Sequence, residues 1–147
     1  MVSRAPTRCV FCEIVAGRAP SHRVLEDETC VAFLDTRPLF FGHTLIVPRV
    51  HRATLGDLAA GELAALFDHA RRVVRAQEEA LGAEGAFVAL NDRVSQSVPH
   101  VHVHVVPRRK KDGLRGFFWP RHTYPSDDAA AEIAAKLRSA LPPRSCQ

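Results

Sequence analysis

The sequence predicts an α+β domain, on three observations. Short β-rich runs follow one another through residues 23–48 and again through 85–106. A long stretch between them carries apolar residues at three- and four-residue spacing, the period of a helix. A second stretch with a helix-start signature closes the chain. Meander strands with segregated helices are the α+β pattern. With 147 residues, no internal repeat and no linker between two cores, a single domain over 1–147 is expected.

The elements follow in order. "RVLEDETCVAFLD" reads as two strands around the turn-prone "EDET", with Val31 and Phe33 sharing a face. "GHTLIVP", 42–48, is a β-branched strand entered at Gly42 and stopped at Pro48. Leu63, Leu66, Phe67, Ala70, Val73, Val74 and Leu81 mark the apolar face of the helix, and Gly82 is its stop. "GAFVALN" then hairpins through the polar "DRVSQSVP" into "HVHVHVV", 100–106. An irregular segment rich in Gly, Pro and charge follows Pro107. Ser126 is the N-cap of the last helix, with Asp127 and Asp128 in its first turn, Ile133 and Leu137 as its apolar stripe, and Pro142-Pro143 at its end.

Composition narrows the function. A hydrophobic fraction of 46% and a charged fraction of 24% are those of an ordinary globular chain. The formal charge of +4 fits an anionic ligand without demanding one. The basic residues are mostly scattered arginines, with lysine only at 110, 111 and 136, which argues against a nucleic-acid stripe. The start "MVSRAPTRCVFC" lacks the apolar core of a signal peptide, and no apolar run is long enough to span a bilayer. A cytoplasmic protein without a disulfide framework is therefore expected. Cys30 is a small buried hydrophobe in this reading, and Cys146 is incidental.

The chemistry concentrates in "HVHVHVV". On a strand, residues i, i+2 and i+4 share a face, so His100, His102 and His104 point one way while Val101, Val103 and Val105 point into the core. The outer two stand about 13 Å apart along such a strand. Metal–nitrogen bonds of about 2 Å cannot gather all three onto one ion, so the stripe must divide its labour. A neutral imidazole is a good nucleophile toward phosphorus, and a second imidazole nearby can hydrogen-bond the phosphoryl oxygens. The preceding loop offers Asn91, Ser95, Gln96 and Ser97, neutral donors suited to a phosphate. Cys9 and Cys12 form a CxxC that reads as a redox pair, half of a zinc site, or two core thiols. For zinc, the sequence offers His51 and His100 as the other two ligands. His22 and His69 read as surface residues, and "GFFWPRHTY", with Trp119, His122 and Tyr124, as packing.

These residues resemble the histidine triad (HIT) superfamily, in particular its zinc-containing bacterial nucleotide hydrolases. "HVHVHVV" matches the family's three alternating histidines. "CVFCEIVAGRAPSHRVLEDETCVAFLDTRPLFFGHTLIVPRVH" is similar to its amino-terminal half, and "SQSVPHVHVHVVPR" to its active-site hairpin. Agreement runs from about 9 to 109, leaving 110–147 as an extension. The resemblance implies a central antiparallel β-sheet with a long helix and a C-terminal helix, and a homodimer. It implies that His102 attacks the α-phosphorus of a purine nucleoside phosphoramidate or related nucleotidyl compound. A covalent nucleotidyl-His102 intermediate would form, and water would then release AMP or GMP. It implies further that His104 contacts the phosphate and that Gln96 and Ser97 bind its oxygens and help protonate the leaving group. Asn91 would sit near phosphate and ribose, Asp35 would accept the ribose hydroxyls with Thr36 beside it, and His43 would line the pocket. Cys9, Cys12, His51 and His100 would hold a structural zinc. Two departures fall in one loop: Ser95 stands where the family usually has glycine, and "NDR" where many relatives have "NEG" or "NNG". Dinucleoside polyphosphate hydrolysis is the alternative activity. A nucleotide-binding interaction protein with residual catalysis is a third reading.

Overall fold

The computed structural model describes residues 8–114 and 122–143. Residues through Asp112 form one compact unit, and those from Gly113 a second. In the first unit a short helix, α1 (Val10–Val15), precedes three strands, β1 (Arg23–Glu26), β2 (Cys30–Leu34) and β3 (Thr44–Pro48). The long helix α2 (Ala60–Leu81) follows, then β4 (Gly85–Ala89) and β5 (Val103–Arg108). Among the described residues the strands make one five-stranded sheet in the order β1-β2-β3-β5-β4, with every pairing antiparallel. The second unit carries α3 (Asp127–Ala140).

Strand alternation decides what each face meets. Cys30 and Ala32 of β2, Ile46 of β3, and Val103 and Val105 of β5 turn to one face, where Leu66, Ala70 and Val73 of α2 bury them. Val31, Phe33, Leu45 and Val47 turn to the other face and pack with Phe11 and Ile14 of α1. Leu66 is fully buried, and burying such a side chain stabilises by roughly 1.5–3 kcal/mol. Glu62 Oε2 accepts from the Ala59 N–H at 2.8 Å and so satisfies one donor at the start of α2. Gly82, at φ 64°, ends the helix in the left-handed conformation expected of a glycine stop.

Most expected elements are present, and several details differ. The ladder of β5 begins only at Val103, so His100 and His102 precede it and His104 alone lies within it. β3 ends at Pro48, and beyond Ile46↔Val103 the chain leaves the ladder; there the Val101 N–H donates instead to Arg52 O at 2.7 Å. The shared face nevertheless persists, because Val101 joins the α2-side core. His69, expected at the surface, is 3% exposed. It stands in register with Leu66, Ala70 and Val73, and its Nδ1 donates to Ala65 O at 2.7 Å. Its Nε2 lies 2.8 Å from Asp27 Oδ2, within ion-pair reach but off line for a hydrogen bond. Phe67 and Leu81, expected on the apolar face of α2, are exposed: Phe67 lies outside the stripe that meets the sheet, and Leu81 is the last residue of the helix. Cys30 is buried and His22 exposed, as expected. Ser126 caps α3 by accepting from the Ala129 N–H at 3.1 Å, while Ile133 and Leu137 are exposed. His122 and Tyr124 are exposed; Trp119 and Cys146 lie outside the described residues.

Candidate functional site

The three histidines leave the strand in three different settings. His100 is fully buried, and its Nε2–H donates to Pro48 O at 2.9 Å. That bond leaves Nδ1 with its lone pair, 3.4 Å from Cys9 Sγ and 3.6 Å from Cys12 Sγ. His51 Nδ1 is 3.3 Å from Cys12 Sγ, and the ligand atoms of all four residues lie within 4.8 Å of one another. Two ligands of a tetrahedral ion, with metal–sulfur and metal–nitrogen bonds of about 2.3 and 2.0–2.1 Å, stand about 3.5 Å apart. The observed sulfur–nitrogen separations match that edge, so Cys9, Cys12, His51 and His100 could hold a metal ion. Burial, followed by the neighbouring Cys9, raises the Cys12 thiol above its usual range without an ion. A bound cation would reverse that tendency.

His102 faces another way. Its Nδ1–H donates to His100 O at 2.8 Å, which leaves Nε2 unprotonated in the neutral ring. The ring lines an open cleft of about 370 Å³. Phe11 of α1 packs edge-on against His102 at 5.1 Å and His100 at 5.9 Å, tying the two settings together. Phe33, Leu45, Val10 and Val98 add apolar walls, and Asp35, Thr36, Arg37, Ser97 and His104 add polar ones.

Behind the cleft stands a hydrogen-bonded relay. The Leu39 N–H donates to His43 Nδ1 at 3.2 Å, so the proton of neutral His43 is on Nε2. From there it is directed at His104 Nδ1, 2.9 Å away, with Asp35 Oδ2 at 3.7 Å. Asp35, His43 and His104 also have ligand atoms within 4.8 Å of one another. However, 2.9 Å between two ring nitrogens is a hydrogen bond and is shorter than the edge of a metal tetrahedron. Burial lowers the His43 pKa, with Asp35 opposing. His104 is lowered to about 4 by burial, then by His102 and His43. Both rings are therefore neutral at pH 7.

Of the residues singled out in the sequence, Asp35, Thr36, Ser97, His102 and His104 line the cleft, and His43 supports it from behind. Asn91, Ser95 and Gln96 lie on the adjoining loop and not among the lining residues. The Gln96 amide is engaged within the loop region, donating to Ala53 O at 2.7 Å and accepting from the Arg93 N–H at 3.0 Å. Arg37 and Phe11 were not anticipated. The position of Phe11 between Cys9 and Cys12 was the available signal for the second.

The HIT domain model matches residues 16–111. This chain belongs to the HIT family. Among its HIT relatives, the adenylylsulfatase HINT3 of Arabidopsis thaliana is 31% identical over 140 residues, covering 90% of this chain and 69% of that protein. The adenosine 5'-monophosphoramidase hnt1 of Schizosaccharomyces pombe is 31% identical over 135 residues, covering 88% and 98%. A zinc-bound HIT structure from Mycobacterium smegmatis superposes with a TM-score of 0.71 at 38% identity, covering 90% of this chain and 97% of that one. The α+β fold with its antiparallel sheet is that of the HIT family, and the chain is similar to hydrolases within it.

Proposed function

We propose that this HIT protein is a nucleotidyl hydrolase that cleaves purine nucleoside phosphoramidates, or related nucleotidyl compounds, at the α-phosphorus. The observation that carries this reading is the His102 ring, whose Nδ1–H is bound to His100 O while Nε2 is left to a cleft of nucleotide scale. In this mechanism Nε2 attacks phosphorus, the bond to the leaving group breaks, and the ring becomes cationic. The His100 carbonyl stabilises that charge through Nδ1–H. Water then attacks phosphorus, the P–Nε2 bond breaks, and the nucleoside monophosphate departs. Splitting one displacement into two is the logic of covalent catalysis. Ser97 and His104 would meet the phosphate oxygens, and Ser97 would help protonate the leaving group, its hydroxyl recovering a proton from the attacking water in the second step. Asp35, with Thr36 beside it, would take the ribose hydroxyls. His43 would hold His104, and Asn91, Ser95 and Gln96 would approach from the loop. Phe11, Phe33 and Leu45 suit a purine face.

The four-ligand cluster is proposed to hold a structural zinc, supported by its ligand set and the zinc-bound relative. A closed site of this kind supplies folding energy and no open coordination position. It would hold His100 and so the carbonyl that orients His102. Thiolate ligands require the reduced, cytoplasmic setting that we also propose. A homodimer through a sheet edge is part of this reading; β4 is an edge strand with Val88 exposed. Adenylylsulfate is a second substrate candidate because one relative is named for that activity. Dinucleoside polyphosphates are a third.

The test gives wild type and His102→Ala an adenosine phosphoramidate, adenylylsulfate and a diadenosine polyphosphate, with released AMP quantified. The expected result is turnover of at least one compound. His102→Ala should lower it by about 100-fold or more. Turnover that survives the substitution would overturn the nucleophile.

A further inference from the structure

Arg37 has no assigned part in the reaction, yet it lines the same cleft as His102. It is the one permanent cation among the described residues that do so. Its root is held firmly. The Arg37 N–H donates to Asp35 Oδ1 at 2.8 Å, and Pro38 follows, restricting the Arg37 backbone from the other side. The guanidinium itself is exposed and makes no ion pair with Asp35 or any other described carboxylate. Six of the eleven other described arginines of the unit are in ion pairs: Arg18 with Glu13, Arg23 and Arg49 with Glu26, Arg52 with Glu62, Arg71 with Asp68 and Arg108 with Asp112. A cation rooted on the turn that Asp35 caps, and unengaged at the mouth of an anion-handling cleft, calls for a ligand charge.

In the proposed mechanism the α-phosphate has other partners, since the imidazoles of His102 and His104 and the Ser97 hydroxyl, which line the same cleft, would meet it. We propose that Arg37 is a specificity-determining residue that selects nucleotides carrying a second anionic group in addition to the α-phosphate. The inference rests on the nucleotidyl-hydrolase reading and sharpens it to a substrate class. The second anion has two chemical sources. It is either joined to the α-phosphorus as part of the leaving group, or esterified to a ribose hydroxyl on the Asp35 side. Either would meet the guanidinium fork in a charge-assisted, bidentate hydrogen bond, which a lysine ammonium reproduces only as a point charge.

Calorimetric binding of AMP, ADP and adenosine 3',5'-bisphosphate to wild type, Arg37→Ala and Arg37→Lys separates these cases. AMP affinity should change less than about 3-fold in either variant. The nucleotide with the correctly placed second anion should lose about 10-fold in Arg37→Ala, the scale of one partly exposed charge-assisted bond. Arg37→Lys should recover part of that loss, and added salt should shrink it. Loss confined to ADP places the second anion on the leaving-group side; loss confined to the bisphosphate places it on the ribose. Equal loss for all three, or for none, overturns the role of Arg37 and leaves the nucleotide site standing. Wild-type protein that binds none of the three overturns both.

Discussion

Arg93 and Ser95 are two of the three described non-glycine residues that depart from an easy backbone, Lys111 being the third. Both are in the left-handed region, at φ 66° and 61°. For an L-residue that conformation costs roughly 1–2 kcal/mol. They are also the two positions where the family resemblance sets glycine, usually before "Gln-Ser" and in many members at the end of "NEG" or "NNG". The loop keeps its shape through other bonds, with the Gln96 amide pinned to Arg93 N and Ala53 O. Ser95→Gly relieves the backbone clash but gains unfolded-state entropy worth about 0.5–1 kcal/mol. The net expectation is a stabilisation of about 0.5–1 kcal/mol, read as a higher urea midpoint at unchanged slope. A lower midpoint would show that the serine side chain contributes more than its backbone costs. The departure was legible in the sequence, and the structure adds that the backbone there takes the conformation glycine tolerates. The cleft carboxylate and hydroxyls, Asp35, Thr36 and Ser97, were legible too. Arg37 was not, since an exposed arginine in a turn carries no pattern of its own.

Helix α2 shows what periodicity conveys and what it hides. Its spacing placed Leu66, Ala70 and Val73 against the sheet, and the structure agrees. His69 and Gln77 share that buried stripe, but their polarity argued for the surface or said nothing. A polar side chain is buried when the sheet offers it partners, and those partners come from distant segments. Gln77 Nε2 donates to Gly42 O at 2.9 Å and Val105 O at 3.0 Å, joining α2 to the entrance of β3 and to β5. Gln77→Leu removes both bonds while keeping the volume; Gly42 O keeps the Thr44 hydroxyl as a donor at 2.9 Å, so Val105 O is the carbonyl that loses its side-chain donor. Leaving a buried polar group unsatisfied costs about 1–3 kcal/mol. Gln77 Oε1 has no partner of its own, which offsets part of the loss and puts the expected destabilisation near the lower end, about 1 kcal/mol. Thermal unfolding of the variant measures it, and an unchanged midpoint would mean that Val105 O finds another donor. The histidine strand gives the converse case. Its alternation put the valines and histidines on the correct faces, but where β5 begins depended on the ladder with β3 stopping at Ile46↔Val103, beyond which the Val101 N–H turns to Arg52 O, a tertiary event that the alternation does not encode.

At the scale of the whole molecule, the buried imidazoles make stability depend on pH. His43 and His104 have pKa values below the ordinary histidine range, His104 at about 4, both chiefly through burial. In the unfolded chain each titrates near ~6.5. Between those values the unfolded state binds more protons than the folded one, so stability is fully present above about pH 6.5 and declines as pH falls toward 4. Asp27 acts in the same direction at lower pH. Its carboxyl is held well below the usual range by hydrogen bonds from Thr29, so its contribution is present above the unfolded value near ~3.9 and is lost in stronger acid. The expected profile is a urea midpoint that falls from pH 7.5 to pH 4.5 and falls again below pH 4. Chelator belongs in every sample, because protonation of thiol ligands would otherwise add its own pH dependence through metal release. His104→Gln removes one of three histidine contributions, since burial lowers the His100 pKa as well, so its midpoint should fall less steeply between pH 7.5 and 4.5, whatever its absolute stability. A variant slope as steep as that of wild type would assign the loss to other groups. A flat wild-type profile across that interval would mean that neither imidazole is buried in solution as it is here, and the neutral relay behind His102 would go with it.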